Sequence, residues 1–176
     1  MKRTVALLLA LLLIALPALA EQVFTPFDYV PGQSGGGMYL SFACPDIRLL
    51  LPIDWQGRFV VKKSESGLAF YQLASYDKYE EAGLPGGGFL FQLCASEDES
   101  YEDLPAYSYV GYSENAGLHF YLMLPSDYPA YVEDEAVRAE YDEMAGDIPD
   151  IVELARIAPN MEFYTEGVEY TDAGMS

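Results

Sequence analysis

Two clusters of acidic side chains are the residues of this sequence whose type and spacing could do chemistry. One cluster lies between two predicted strands and the other opens a predicted helix. Their members are Asp98, Glu99, Glu102 and Asp103 in the first, and Glu133 and Asp134 in the second. Hard cations such as Ca²⁺ take several carboxylate and carbonyl oxygens, so both clusters are candidate calcium sites. Neither has the regular ligand spacing of an EF-hand loop, and we favour the alternative of a solvated acidic surface with no cofactor.

Carboxylates could also serve a hydrolase. A glycosidase needs two of them on opposite sides of a sugar, with the pKa of one raised by burial, and spacing alone cannot identify such a pair. The sole histidine, His119, lies on a predicted strand, and no nearby serine or cysteine has the sequence context of an activated nucleophile. We interpret His119 as a hydrogen-bonded sheet residue, so the sequence identifies no catalytic residue and favours a protein without catalysis.

Tyrosine is the other residue type in excess, with 15 copies. Flat, amphipathic rings lose little conformational entropy on binding, so several on one exposed face would recognise a protein or a glycan. The candidate ligand-binding residues are Tyr107, Tyr109, Tyr112 and Tyr121. The alternative is that these rings are half-buried strand residues whose hydroxyls reach water. The single tryptophan, Trp55, is interpreted as a core residue.

The two cysteines, Cys44 and Cys94, lie in apolar surroundings that suit adjacent strands of one sheet. An oxidising compartment would permit them to pair, and the bridge would contribute about 4 kcal/mol on the chain-entropy model. Buried free thiols are the alternative. A zinc site would need more Cys or His ligands than this chain supplies.

The charge of the chain is strongly negative, with 28 acidic residues against 9 basic ones and a formal net charge of −19. Nucleic acids and anionic lipid surfaces are bound through clustered Lys and Arg. We therefore expect neither as a partner. A cationic partner, a divalent cation or simple solubility remains compatible with this charge.

Short aromatic and β-branched runs separated by Gly and Pro dominate the chain from Met38 onward, a pattern typical of strands. The predicted strands are 38–43, 46–51, 58–62, 67–73, 88–95, 106–112 and 117–124. Two short turns that end in Gly67 and Gly117 predict antiparallel hairpins, because glycine accepts the positive φ that such turns require. Apolar and polar residues alternate along the last strand, so one face of the sheet must be covered.

Two helices are predicted to provide that cover. A short one has Ser75 as its N-cap and ends at Gly83. A longer one begins near Glu133, and Pro149 predicts a kink or two abutting helices within it. The fold class is therefore α+β, with a curved antiparallel sheet of about six or seven strands, a short middle helix and a C-terminal helix packed on one face.

Residues 1–20 have the pattern of a secretory signal peptide, with Lys2 and Arg3 before an apolar run and small residues up to Ala20. The run is too short for a comfortable membrane span. We expect a secreted protein with no membrane insertion after cleavage. The predicted organisation is a signal peptide at 1–20, a flexible linker at 21–37, one α+β domain at 38–158 and a C-terminal tail at 159–176.

Four segments resemble a group of uncharacterised secreted or membrane-tethered proteins of Gram-positive bacteria. They are 51–61 (LPIDWQGRFVV), 67–76 (GLAFYQLASY), 86–91 (GGGFLF) and 141–144 (YDEM). More distantly, the Leu-Pro-x-x-Trp entry into an antiparallel sheet with a final helix is similar to Mog1/PsbP-like domains. The first likeness implies no known activity, and the second implies a binding or assembly role without catalysis. Pro149 and the cysteine pair depart from the pattern of the first group.

These observations predict a secreted, non-catalytic binding domain that acts at or outside the cell envelope, with a protein or a glycan as its partner. An extracellular carboxylate-based hydrolase and a calcium-dependent surface module are the alternatives. A cleft that holds two carboxylates about 5–10 Å apart would favour the hydrolase. A flat, tyrosine-rich face would favour binding.

Overall fold

The structure is a computed structural model that describes residues 23–24, 28–31, 38–44, 46–64 and 66–157. The predicted signal peptide at 1–20 and the predicted tail at 159–176 lie outside the described residues. Part of the predicted linker is described, and it contains two short strands. The sequence predicts an irregular linker here, but each of these two segments pairs with a neighbouring strand of a sheet.

In the described part of the chain, ten strands form two antiparallel sheets, which confirms the α+β class. The strands are β1 (Val23–Phe24), β2 (Asp28–Pro31), β3 (Met38–Cys44), β4 (Ile47–Pro52), β5 (Phe59–Ser64), β6 (Gly67–Gln72), β7 (Phe89–Ser96), β8 (Tyr107–Ser113), β9 (Leu118–Met123) and β10 (Arg156–Ile157). A six-stranded sheet has the order β1-β5-β6-β7-β9-β8, and a four-stranded sheet has the order β10-β4-β3-β2.

Both predicted hairpins are present in the six-stranded sheet. The hairpin β5–β6 ends with Ser64 opposite Gly67, and the hairpin β8–β9 pairs Ser113 with Leu118. Gly67 and Gly117 have φ values of 149° and 68°, as the turn chemistry requires. Phe120 and Leu122 of β9 are buried, so the alternating pattern of that strand correctly identified its covered face.

The separate four-stranded sheet was not predicted. Strand β4 ends at Pro52, and a 3-10 helix at Ile53–Trp55 turns the chain away before β5 begins. Cys44 of β3 and Cys94 of β7 therefore belong to different sheets, and the expectation that they lie on adjacent strands of one sheet is wrong.

The described residues also contain three α-helices: α1 (Leu73–Glu81), α2 (Glu135–Gly146) and α3 (Ile148–Leu154). The prediction of two abutting helices around Pro149 is confirmed, since α2 ends at Gly146 and α3 has Pro149 in its first turn. Helix α3 contacts β4 of one sheet and β8 of the other, so it joins the two sheets.

The N-cap of α1 is Gln72 and not Ser75, which corrects the sequence prediction. The Gln72 side-chain oxygen accepts a hydrogen bond from the Ser75 amide at 3.0 Å. Its amide nitrogen donates to Glu140 Oε1 at 2.6 Å and to the Val137 carbonyl at 3.3 Å. Gln72 caps the helix because its longer side chain reaches the first-turn amide from the end of a strand and also satisfies groups of α2.

One continuous core lies between the sheets and the helices. Trp55 is fully buried, as predicted, and its indole N–H donates to Asp147 Oδ2 at 2.9 Å. Its ring lies 5.9 Å from Phe59 and 6.3 Å from Phe91 between centroids. Trp55 thereby fastens the 3-10 helix and the six-stranded sheet to the junction of α2 with α3.

Within the described part of the chain, no helix is long and apolar enough to cross a membrane.

Candidate functional site

The structure brings the four predicted tyrosines together on the neighbouring strands β8 and β9. Tyr109 lies opposite Tyr121 and Tyr112 lies opposite His119 in the β8–β9 register, while Tyr107 pairs with Met123. We call Tyr107, Tyr109, Tyr112, Tyr121 and His119 the tyrosine face. Alternation puts Tyr107 and Tyr109 on one side of the sheet. A bulge in β8, between Tyr109 and Gly111, brings Tyr112 to the same side, opposite His119.

Tyr101, from the 3-10 helix Ser100–Asp103, packs at the centre of the tyrosine face. Its ring centroid lies 5.2 Å from Tyr109, 5.3 Å from Tyr121 and 5.5 Å from Tyr107. Tyr101 is only 6% exposed, so it acts as a buried support for the rings around it. The sequence did not indicate this role, because Tyr101 lies in the connection between β7 and β8 and not on a strand whose alternation could be followed.

The outer rings of the tyrosine face are open to solvent. Tyr109 is 42% exposed and Tyr112 is 47% exposed, whereas Tyr107 and Tyr121 are half-buried. The Tyr109 hydroxyl and His119 Nδ1 lie 3.1 Å apart in a hydrogen bond, and the His119 ring is 4.7 Å from the Tyr112 centroid. The interpretation of His119 as a hydrogen-bonded sheet residue is confirmed.

The first acidic cluster forms the loop beside this face. Asp98 Oδ1 accepts a hydrogen bond from the Ser100 amide at 3.1 Å, and the Asp98 carbonyl accepts one from Ser96 Oγ at 2.6 Å. The hydrogen bonds from Ser100 hold the pKa of the Asp98 carboxyl below its usual range. These bonds shape the turn that delivers Tyr101 to the sheet.

The second acidic cluster starts α2. Asp134 is the N-cap, and its carboxylate accepts hydrogen bonds from the amides of Ala136 at 3.0 Å and Val137 at 3.3 Å. Glu133 accepts a bond from the Tyr131 hydroxyl at 2.9 Å. Among the described residues, no group of three or more His, Cys, Asp and Glu side chains is arranged to hold a metal ion. This holds for both acidic clusters.

Cys94 is buried and carries a free thiol. Gln92 Nε2 donates to its sulfur at 3.3 Å, and burial raises the pKa of the thiol. The free thiol of Cys94 matches the alternative of buried free thiols, and the side chain of Cys44 lies outside the described residues.

A second aromatic feature, which sequence analysis missed, is a cavity of about 350 Å³ at the connection from β6 through α1 to β7. We call it the aromatic pocket. Its lining residues are Tyr71, Tyr79, Gly86, Gly87, Phe89, Asp127, Tyr128 and Pro129. Aromatic rings, one carboxylate and a glycine backbone therefore surround a space at the low end of the about 300–1,000 Å³ typical of small-molecule sites.

The aromatic walls of the pocket are held by hydrogen bonds and ring contacts. The Tyr128 hydroxyl donates to Asp142 Oδ1 at 2.7 Å, and its ring lies edge-on to Tyr141 at 5.5 Å. The Tyr79 hydroxyl donates to the Ala130 carbonyl at 3.3 Å. Tyr71 and Phe89 contact each other edge-to-face at 5.6 Å. The walls are thus formed before any ligand arrives.

The glycine-rich loop 86–88 forms one side of the pocket and requires glycine. A Cβ on Gly87 would overlap the Tyr79 ring, and one on Gly88 would lie 2.6 Å from the Gln72 carbonyl oxygen. The Gly88 amide donates to the Pro129 carbonyl at 2.7 Å, which ties this loop to the segment that carries Asp127 and Tyr128. These glycines form the turn that leads from α1 into β7.

A second cavity of about 350 Å³ lies between β4 and α3. Its lining residues are Leu50, Pro52, Asp150, Ile151, Glu153 and Leu154. Asp150 and Glu153 are three residues apart on one helix, so both carboxylates belong to the same wall. They do not flank the cavity as a glycosidase requires.

The hydroxyl of Tyr128 provides a test at high pH. Partial removal of the Tyr128 hydroxyl from water raises its pKa, and the hydrogen bond that it donates to Asp142 raises this pKa further, to about 12. Since this exceeds the unfolded value of about 10, the stabilisation is fully present below pH 10 and is lost as the pH rises through about 12. We expect the difference between ultraviolet titrations of the wild type and Tyr128→Phe to show a tyrosinate forming near pH 12.

The control for this titration is Asp142→Asn, which removes the accepting carboxylate and should move the pKa of Tyr128 back toward the ordinary tyrosine value. In the wild type, by contrast, a difference transition near pH 10 while the protein is still folded by circular dichroism would contradict the assigned hydrogen bond.

Comparison with known proteins returned no match: no family model, no curated protein and no solved structure matches this chain significantly. The resemblances noted from the sequence therefore remain hypotheses, and the function must be argued from the geometry above.

Proposed function

We propose that the protein is a secreted, non-catalytic binding domain that acts at or outside the cell envelope and contacts a protein or a glycan through the tyrosine face. The observation that carries this proposal is the exposure of Tyr109 and Tyr112 on one side of a strand pair. Exposed tyrosines are common at the centres of interfaces because one ring provides both apolar area and a hydrogen-bonding group.

The support beneath these rings strengthens the proposal. Tyr101 stacks on Tyr109 with an interplanar angle of 25°, and His119 contacts both exposed tyrosines. Rings that are already ordered lose less conformational entropy when a partner binds. The surface is therefore suited to recognition without a large rearrangement.

The acidic loop beside the face favours particular partners. Glu97, Asp98, Glu99, Glu102 and Asp103 border it in sequence, and the whole chain has a formal net charge of −19. An anionic partner would be repelled, so we expect a partner that is neutral or cationic where it meets the tyrosines. Secretion is supported by the pattern of residues 1–20 alone.

The test is a screen of the purified protein on a glycan array and on a displayed peptide library, followed by affinity measurements on each hit. We expect the double variant Tyr109→Ala/Tyr112→Ala to lose at least about tenfold in affinity, the effect of removing an interface hot spot. Tyr128→Ala is the matched control, because Tyr128 is 48% exposed but lies in the aromatic pocket.

The proposal predicts that the control retains wild-type affinity for these hits. Hits that are insensitive to the double variant, or that are lost only in Tyr128→Ala, would assign binding to another surface. Circular dichroism of each variant separates a loss of binding from a loss of fold.

A further inference from the structure

We infer that the aromatic pocket is a separate binding site for a small organic cation, of the quaternary ammonium type found in choline and in methylated amines. The pocket places the rings of Tyr71, Tyr79, Phe89 and Tyr128 around one space that also contains the Asp127 side chain. None of these residues belongs to the tyrosine face.

The chemistry of the lining selects the ligand class. The face of an aromatic ring carries partial negative charge and attracts a cation within about 6 Å of its centroid. A quaternary ammonium group suits several rings at once because it is large and cannot use the hydrogen bonds that solvate a primary amine. Asp127 is exposed at the pocket and adds a full negative charge.

A cation of the protein itself already packs on an aromatic ring next to the pocket. Lys62 Nζ lies 4.5 Å from the centroid of Tyr76, and Tyr76 contacts the pocket residue Tyr71 edge-to-face at 5.5 Å. The acidic surface of the chain would further concentrate cations near this site.

The pocket is also built rather than merely open. Ser75, which is fully buried, accepts a hydrogen bond at 2.9 Å from the Tyr131 amide, and this anchors the segment after Tyr128 onto α1. The Gly88 amide anchors the same segment at Pro129. These two bonds fix the chain directly after Tyr128, and the Leu124 amide, which donates to the Ala106 carbonyl at 3.0 Å, fixes it before Asp127. Tyr128 and Asp127 are therefore placed at the pocket without a ligand.

The test uses choline chloride and tetramethylammonium chloride as probes, with 3,3-dimethylbutan-1-ol as the neutral control of the same shape as choline. Backbone amide shifts are followed by nuclear magnetic resonance at constant ionic strength. We expect saturable shifts at Gly86 and Gly87 with both cations. We expect the neutral alcohol to bind at least about fivefold more weakly, because it has the volume of choline but no charge.

Variants locate the site. Tyr128→Leu should weaken choline binding about tenfold, and Asp127→Asn should weaken it by a smaller factor, about threefold. Tyr112→Leu is the matched control, since Tyr112 is equally exposed but lies on the tyrosine face, and it should leave choline binding unchanged.

Three results would overturn the inference. The first is an absence of saturable shifts at the pocket amides with either cation, and the second is equal affinity for choline and its neutral analogue. The third is tighter binding of maltose than of choline, which would make the pocket a sugar site. The comparison of choline with its neutral analogue needs only the wild type, so it tests the inference even if Tyr128→Leu does not fold. Failure here leaves the tyrosine face proposal intact, because the two sites share no residue.

Discussion

Replacement of Gly67 by alanine is expected to lower the free energy of unfolding by about 3 kcal/mol or more. Gly67 has a φ of 149°, which an L-residue rarely adopts. A Cβ at this position would also overlap the backbone carbonyl of Leu93 on the neighbouring strand β7. Because the obstacle is backbone in a central strand, it cannot move aside without breaking sheet hydrogen bonds.

Gly117→Ala is the matched control, since Gly117 closes the other hairpin with a φ of 68° but has nothing within 4 Å of its added Cβ. It should cost only the conformational strain, about 1–2 kcal/mol. Urea unfolding followed by circular dichroism measures both variants. Equal losses would show that the close approach to Leu93 has no energetic consequence.

Trp55→Ala is expected to lower the free energy of unfolding by about 3–5 kcal/mol. The side chain is fully buried, contacts Phe59 and Phe91, and donates a hydrogen bond to Asp147. Removal of the ring leaves a cavity between the six-stranded sheet and the α2–α3 junction. Unfolding must be followed by circular dichroism, because the only tryptophan has been removed.

Trp55→Phe separates packing from hydrogen bonding in this prediction. Phenylalanine keeps much of the ring volume but cannot donate to Asp147, so we expect a smaller loss of about 1–2 kcal/mol. A cost for Trp55→Ala that is no larger than that for Trp55→Phe would contradict a role of the ring in holding the core together.

The two proposed sites differ in how far they could be foreseen. The tyrosine face consists of residues from two adjacent strands of one hairpin. Alternation places Tyr107 and Tyr109 on one side of the sheet, whereas Tyr112 joins them through the bulge between Tyr109 and Gly111, which alternation does not predict. The aromatic pocket combines the continuous stretch from β6 through α1 to the glycine-rich loop with the segment at 127–129, which lies much further along the chain. Two signals did point to it, the tyrosine excess and the Gly86–Gly88 run, but neither indicates which segments meet.

The amino-acid sequence by itself determined the local elements of this protein. Alternation, glycine turns and Pro149 predicted the hairpins, the buried face of β9 and the break between α2 and α3, because each depends on neighbouring residues. Only the tertiary structure decided that β3 and β4 form a separate sheet, that Gln72 caps α1 and that Tyr101 supports the tyrosine face. Those outcomes depend on which distant groups satisfy one another's hydrogen bonds and fill the same space, and no local pattern records that choice.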